Sequence, residues 1–111
     1  MTEDLIKEFI QEIILKKKKD LLSVKMDLMF HLKQKKAIGN ENKIRNDLKK
    51  QKKVDNKRNL EVIETLEDKV NQLNNINKTI NELNAIEPQL IEYIDFLYKN
   101  KNIIIKTGLD L

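Results

Sequence analysis

The sequence predicts an all-α protein, an elongated antiparallel helical hairpin with coiled-coil character plus a short third helix. The 111 residues include only two glycines and one proline, whereas β-folds need many turn residues. Apolar residues recur every three or four positions over long intervals, which is typical of helices with one buried face. A chain of this length forms a single domain with a modest core, predicted here over residues 1–100.

The first helix is predicted over residues 3–36. Thr2, followed by two acidic residues, is typical of an N-cap and a first helical turn. No glycine or proline interrupts the apolar pattern before Gly39, although a kink at the lysines of residues 16–19 is an open alternative. Gly39 adopts a left-handed backbone easily and is therefore the predicted end of this helix.

The second helix is predicted over residues 41–86, with Asn40 as its N-cap. Its first half is weakly apolar, and its second half has the repeat of a coiled-coil seam of about three heptads. The seam residues are Ile63, Leu66, Val70, Leu73, Ile76, Ile80 and Leu83. Asn77 falls near a core position, where a polar side chain either fixes the register or points outward at a stutter.

Pro88 is predicted to end helix 2, because proline cannot continue the helical hydrogen-bond ladder. The same proline suits the first position of a third helix over residues 88–99. Residues 101–111 read as an apolar, β-prone tail. Since solvated termini are rarely so apolar, this tail is expected to dock on another surface.

A hairpin that turns at Gly39 brings together residues equally distant from the glycine, so that Ile14 is expected near Ile63 and Ile10 near Leu66. The apolar residues 21–28 then face the polar residues 49–56 and lack a cover within the chain. A second protein chain is the expected cover. The predicted partner-binding residues are Leu21, Leu22, Met26, Leu28, Met29 and Leu32.

The net charge of +4 is unevenly distributed, because residues 16–60 are strongly basic and both flanking segments are acidic. The predicted hairpin gathers the basic residues at its tip. The candidate contacts for phosphates or for an acidic partner are Lys16, Lys17, Lys18, Lys19, Lys49, Lys50, Lys52, Lys53, Lys57 and Arg58. Lysines outnumber arginines 20 to 2, and no aromatic residue lies in the basic segment after Phe30, so bidentate contacts and base stacking have little support.

Several classes of protein are disfavoured. The chain has no cysteine, one histidine (His31) and one serine (Ser23), and neither of the last two has a catalytic partner at a suitable spacing. We therefore expect no enzyme activity, cofactor, metal or small-molecule ligand. The acidic N-terminus is unlike a signal peptide, and no apolar run approaches the roughly 20 residues of a membrane span. An intracellular location, cytoplasmic or nuclear, is expected.

The function predicted from these features is that of a non-enzymatic protein–protein interaction module, such as a scaffold subunit, a tether, an adaptor or a protein inhibitor. It would act through helical association, as a homo-oligomer or as a subunit of a hetero-complex. The alternative is a lysine-driven, sequence-nonspecific nucleic-acid-binding protein.

Overall fold

The computed structural model describes residues 2–54 and 59–109, and within these ranges it contains four α-helices and no strand. They are α1 (Glu3–Ile38), α2 (Glu41–Lys53), α3 (Leu60–Lys99) and α4 (Lys101–Leu109). The helices form two compact units. The terminal unit comprises the described residues of Met1–Asp27 and Leu83–Leu111, and the middle unit comprises those of Leu28–Glu82. The predicted all-α class is confirmed.

α1 is a single helix of 36 residues that runs through its four consecutive lysines without a break. Thr2 caps it, since the Leu5 amide donates to Thr2 Oγ1 at 3.4 Å. Acidic side chains offset part of the lysine charge, with Lys17 Nζ lying 3.9 Å from Asp20 Oδ2. α1 also ends two residues later than predicted, at Ile38.

The junction between α1 and α2 depends on Gly39, whose backbone φ of 127° is one that residues with a Cβ rarely adopt. Asn40 then caps α2 as predicted, because its side-chain oxygen accepts from the Lys43 amide at 3.1 Å. Only Ile44 is buried among the residues of α2.

The chain reverses direction between α2 and α3, and not at Gly39 as the sequence predicts. Arg45 Nη2 lies 2.7 Å from Asn74 Oδ1, and Lys52 Nζ lies 3.4 Å from Glu67 Oε1. Because residue numbers rise along α2 while those of its contacts fall along α3, the two helices are antiparallel. The hairpin is confirmed, but its turn is misplaced in the sequence prediction.

The terminal unit shows what the misplaced turn changes. Its core joins the start of α1 to the end of α3 and to α4, and contains Ile6, Ile10, Ile14, Leu97 and Ile105. The predicted pairs, Ile14 with Ile63 and Ile10 with Leu66, are therefore wrong. α1 instead pairs antiparallel with the last part of α3.

Helix 2, predicted as one helix over residues 41–86, is in fact two helices. α2 ends at Lys53, and Val54 follows with an extended backbone at φ −93° and ψ 106°. The end of α2 carries lysines at spacings of three and four, such as Lys49, Lys52 and Lys53, and like charges at these spacings destabilise a helix. Few apolar side chains compensate there, since most helical stability comes from packing.

Pro88 lies inside α3, so the predicted helix boundary at this residue is wrong. A proline removes one backbone hydrogen bond, but Pro88 is exposed, so water can reach the carbonyl that is left without its amide partner. Apolar side chains on either side of it, including the buried Ile80 and Ile94, hold the helix in place by packing.

The predicted β-prone tail is helical from Lys101 to Leu109. It docks on the protein's own α1, because Ile105 is buried in the core of the terminal unit. The packing is close at Gly108, where an added Cβ would lie 2.8 Å from Ile6 Cδ1. Helix formation satisfies the tail's backbone groups while it buries Ile105.

Candidate interaction surface

The predicted partner-binding residues of α1 divide into two groups. Leu28 is buried in the protein's own core and Leu21 is half-buried, so Leu28 is not available to a partner. The remaining residues are each more than half exposed, namely Leu22, Met26, Met29 and Leu32. These four stay candidates for an interaction surface.

The division follows from two apolar stripes that run side by side along α1. The inner stripe includes Ile14, Leu21 and Leu28, spaced seven residues apart. Each is followed directly by an exposed apolar residue, and these outer residues are Leu15, Leu22 and Met29. Consecutive helical residues point about 100° apart, so the outer residues face away from the core. Pairs of adjacent apolar residues in the sequence, such as Leu21 and Leu22, were the signal for this second stripe. The sequence prediction did not include Leu15, which also belongs to it.

In the terminal unit the outer stripe of α1 meets an exposed side of α3. Tyr98 lines a shallow cavity of about 360 Å³ together with Leu15 and Lys18. Lys18 Nζ also lies 5.1 Å from the centre of the Tyr98 ring, a cation–π distance. Ile91, seven residues before Tyr98 on α3, is exposed on the same side of that helix.

We call this region of the terminal unit the flank surface. Its apolar residues are Leu15, Leu22 and Met26 on α1 and Ile91 and Tyr98 on α3, all at least 40% exposed. The apolar spacing of the predicted helix 3 places Ile91 and Tyr98 on its inward face, but both are exposed in the structure.

Charged residues of opposite sign alternate with the apolar residues along the two edges of the flank surface. On α1, Lys18 and Lys25 stand at helical spacing from Leu15 and Leu22. On α3, Asp95 lies between Ile91 and Tyr98, and Glu87 lies one turn before Ile91. No basic residue occurs between Lys78 and Lys99 in the sequence, so the α3 edge is acidic from Glu87 to Asp95 while the α1 edge is basic. Lys101 of α4 also lines the cavity beside Tyr98.

The described lysines that the sequence predicts as phosphate contacts belong to two different units. Lys16, Lys17, Lys18 and Lys19 lie in the terminal unit, and Lys49, Lys50, Lys52 and Lys53 lie in the middle unit. Lys57 and Arg58 fall outside the described residues. The predicted basic tip assumed a turn at Gly39, which the structure does not have, and the grouping of these lysines at a tip stays a prediction. Some of these lysines have partners in the chain, including Lys17 over the Tyr93 ring at 5.5 Å.

The middle unit contains a polar cluster centred on the Glu41 carboxylate. Its Oε1 accepts from Arg45 Nη2 and from Asn77 Nδ2, both at 2.9 Å, and its Oε2 lies 3.1 Å from Lys35 Nζ. The hydrogen bonds from Arg45 and then Lys35 hold the pKa of Glu41 below its ordinary value of 4.5. The cluster links α1, α2 and α3, and it places Asn77 where a polar residue fixes a register.

The seam predicted in helix 2 lies along α3. Leu73 is fully buried and Ile80 is 9% exposed, and the other members are half-buried: Ile63, Leu66, Val70, Ile76 and Leu83. The seam residues therefore pack inside the hairpin, and the exposed apolar residues of the flank surface are a separate set.

Comparison of the chain with family models, with curated proteins and with solved structures finds no match. No helix within residues 2–54 and 59–109 is both long and apolar enough to cross a membrane.

Proposed function

We propose that the protein is a non-enzymatic protein–protein interaction module that associates through its flank surface. One observation carries the proposal: in the described part of the chain, nineteen large apolar side chains are exposed and ten are buried. Five of the nineteen form the flank surface, and exposed apolar residues that gather in one region are typical of surfaces that another protein covers. A scaffold subunit, a tether, an adaptor or a protein inhibitor would each use such a surface.

The flank surface has the chemistry that helical association requires. Burying a leucine or methionine side chain contributes about 1.5–3 kcal/mol, and the flexible thioether of Met26 adapts to irregular partners. Lys18 and Lys25 at its edge add electrostatic steering toward acidic groups. An intracellular setting, predicted from the absence of cysteine, is part of this proposal.

The test compares Met26→Asp with a matched control, Ser23→Asp. Both place one new carboxylate at an exposed position of α1, but only the first removes an apolar side chain of the flank surface. The measurements are sedimentation equilibrium of the purified protein and affinity capture from an extract of the source cells, with bound proteins identified by mass spectrometry. The amount of protein bound by Met26→Asp is expected to fall at least tenfold. Ser23→Asp is expected to bind as much as the wild type.

Circular dichroism provides the folding control, since both variants should keep their helicity. Equal retention by wild type and Met26→Asp would contradict the proposal. So would a wild type that retains no protein but binds a DNA duplex at low salt, with binding weakened at least tenfold by Lys52→Glu together with Lys53→Glu. That second outcome supports the lysine-driven nucleic-acid function instead.

A further inference from the structure

We infer that the flank surface is covered by the flank surface of a second copy of this chain, with α1 of each copy lying on α3 of the other. The inference rests on the proposed function and names the partner. Twofold symmetry makes both contacts identical, as in most homodimers. The terminal units then form a four-helix arrangement in which like helices lie diagonally and unlike helices are neighbours.

The charges of the two edges support this partner. The α1 edge carries Lys18 and Lys25, and the α3 edge carries Glu87 and Asp95. Among the ion pairs of residues 2–54 and 59–109, none involves Lys25, Glu87 or Asp95. These charges are therefore available to a neighbouring molecule, and a second copy presents the opposite sign to each edge at once.

The spacing of the two edges matches when the helices are antiparallel. On α1, Lys18 follows Leu15 by three residues and precedes Leu22 by four. On α3, read in reverse, Asp95 comes three residues after Tyr98 and four before Ile91. Both apolar pairs are thus separated by about 10 Å along their helices. Leu15 then faces Tyr98, Lys18 faces Asp95 and Leu22 faces Ile91.

Other occupants fit less well. If α1 packed on α1 of a second copy, Lys18 and Lys25 would face lysines. If α3 packed on α3, Glu87 and Asp95 would face carboxylates. Both arrangements are unfavourable because like charges repel. An acidic helix from another protein, or an anionic membrane, suits the α1 edge alone and is repelled by Glu87 and Asp95. Of these occupants, only a second copy complements both edges.

A charge-reversal experiment tests the inference. One variant reverses the basic edge, with Lys18→Glu and Lys25→Glu, and the other reverses the acidic edge, with Glu87→Lys and Asp95→Lys. Each variant alone opposes like charges at both contacts, so its self-association is expected to weaken at least tenfold. In an equimolar mixture the two variants restore opposite charges at both contacts, so they are expected to form a 1:1 dimer of twice 13.2 kDa.

A matched control reverses two exposed lysines of the middle unit, Lys49→Glu and Lys50→Glu, and should leave dimerisation unchanged. Sedimentation velocity gives the masses, and circular dichroism shows that each variant is folded. A wild type that stays monomeric overturns the inference, whether or not it binds vesicles of phosphatidylserine. If such a monomer still captures another protein through Met26, the proposed function stands without it. A wild-type dimer whose reversed variants do not recombine also overturns the inference.

Discussion

The terminal unit and the middle unit are each stabilised internally by a different kind of interaction. The terminal unit relies on an isoleucine-rich core that joins α1, α3 and α4, whereas the middle unit combines the fully buried Leu73 with the polar cluster around Glu41. Thirteen of the nineteen exposed large apolar side chains belong to the terminal unit. The polar cluster links α1, α2 and α3 in the middle unit, whereas the terminal unit exposes the larger share of the apolar surface.

The largest expected effect concerns Leu73, the only fully buried side chain among the described residues. Leu73→Ala leaves a cavity beside the seam and is expected to lower the free energy of unfolding by about 3 kcal/mol. Urea denaturation followed by circular dichroism measures this change. Leu22→Ala, on the flank surface, is the matched control and should cost about 0.5 kcal/mol or less in the dissociated protein. Equal losses would contradict the division between seam and flank surface.

A smaller effect is expected at the polar cluster. Glu41→Gln removes the charge that Arg45 and Lys35 contact, and should cost about 1 kcal/mol at neutral pH, because this site is partly open to solvent. Glu64→Gln, at an exposed position of α3, is the control and should change the free energy of unfolding by less than about half as much. A similar loss in both variants would show that the cluster does not stabilise the middle unit.

The same residue gives a pH dependence whose sign follows from its pKa. The folded pKa of Glu41 lies below the ordinary value of 4.5, so the unfolded chain binds a proton at Glu41 more readily than the folded protein does. The stabilisation is therefore fully present above that ordinary value and is lost as the pH falls through the lowered folded pKa. Denaturation at a series of pH values should show a shallower decline for Glu41→Gln than for wild type.

The sequence predicts the N-terminal caps of α1 and α2 and the end of α1 well, although the boundary at Pro88 and the β-prone tail are wrong. Thr2 and Asn40 cap helices as expected, because a cap depends on residues within one helical turn. The end of α1 at Gly39 is likewise local. The direction of the chain after Gly39 is not, since it depends on which apolar faces pair across the hairpin. The sequence between α2 and α3 contains neither glycine nor proline, so the usual sequence signal of a chain reversal is absent there.

The interaction surface could be predicted only in part. Hydrophobicity alone places Leu28 with its neighbours Met26 and Met29, but one step along a helix turns a side chain by about 100°, and Leu28 faces the core. The exposure of Ile91 and Tyr98 could not be predicted from the sequence, because the side of α3 that is buried depends on which distant segments pack against it. Pairing of distant segments, and not local propensity, decides which apolar residues stay exposed.

The most direct test of the account is the mass of the wild-type protein in solution. Light scattering after size exclusion, at about 0.1 M and about 1 M salt with and without a short DNA duplex, separates association through apolar surface from salt-sensitive binding by lysines. We predict a species larger than the 13.2 kDa chain at both salt concentrations, unchanged by DNA. A monomer that joins the duplex only at low salt would contradict it.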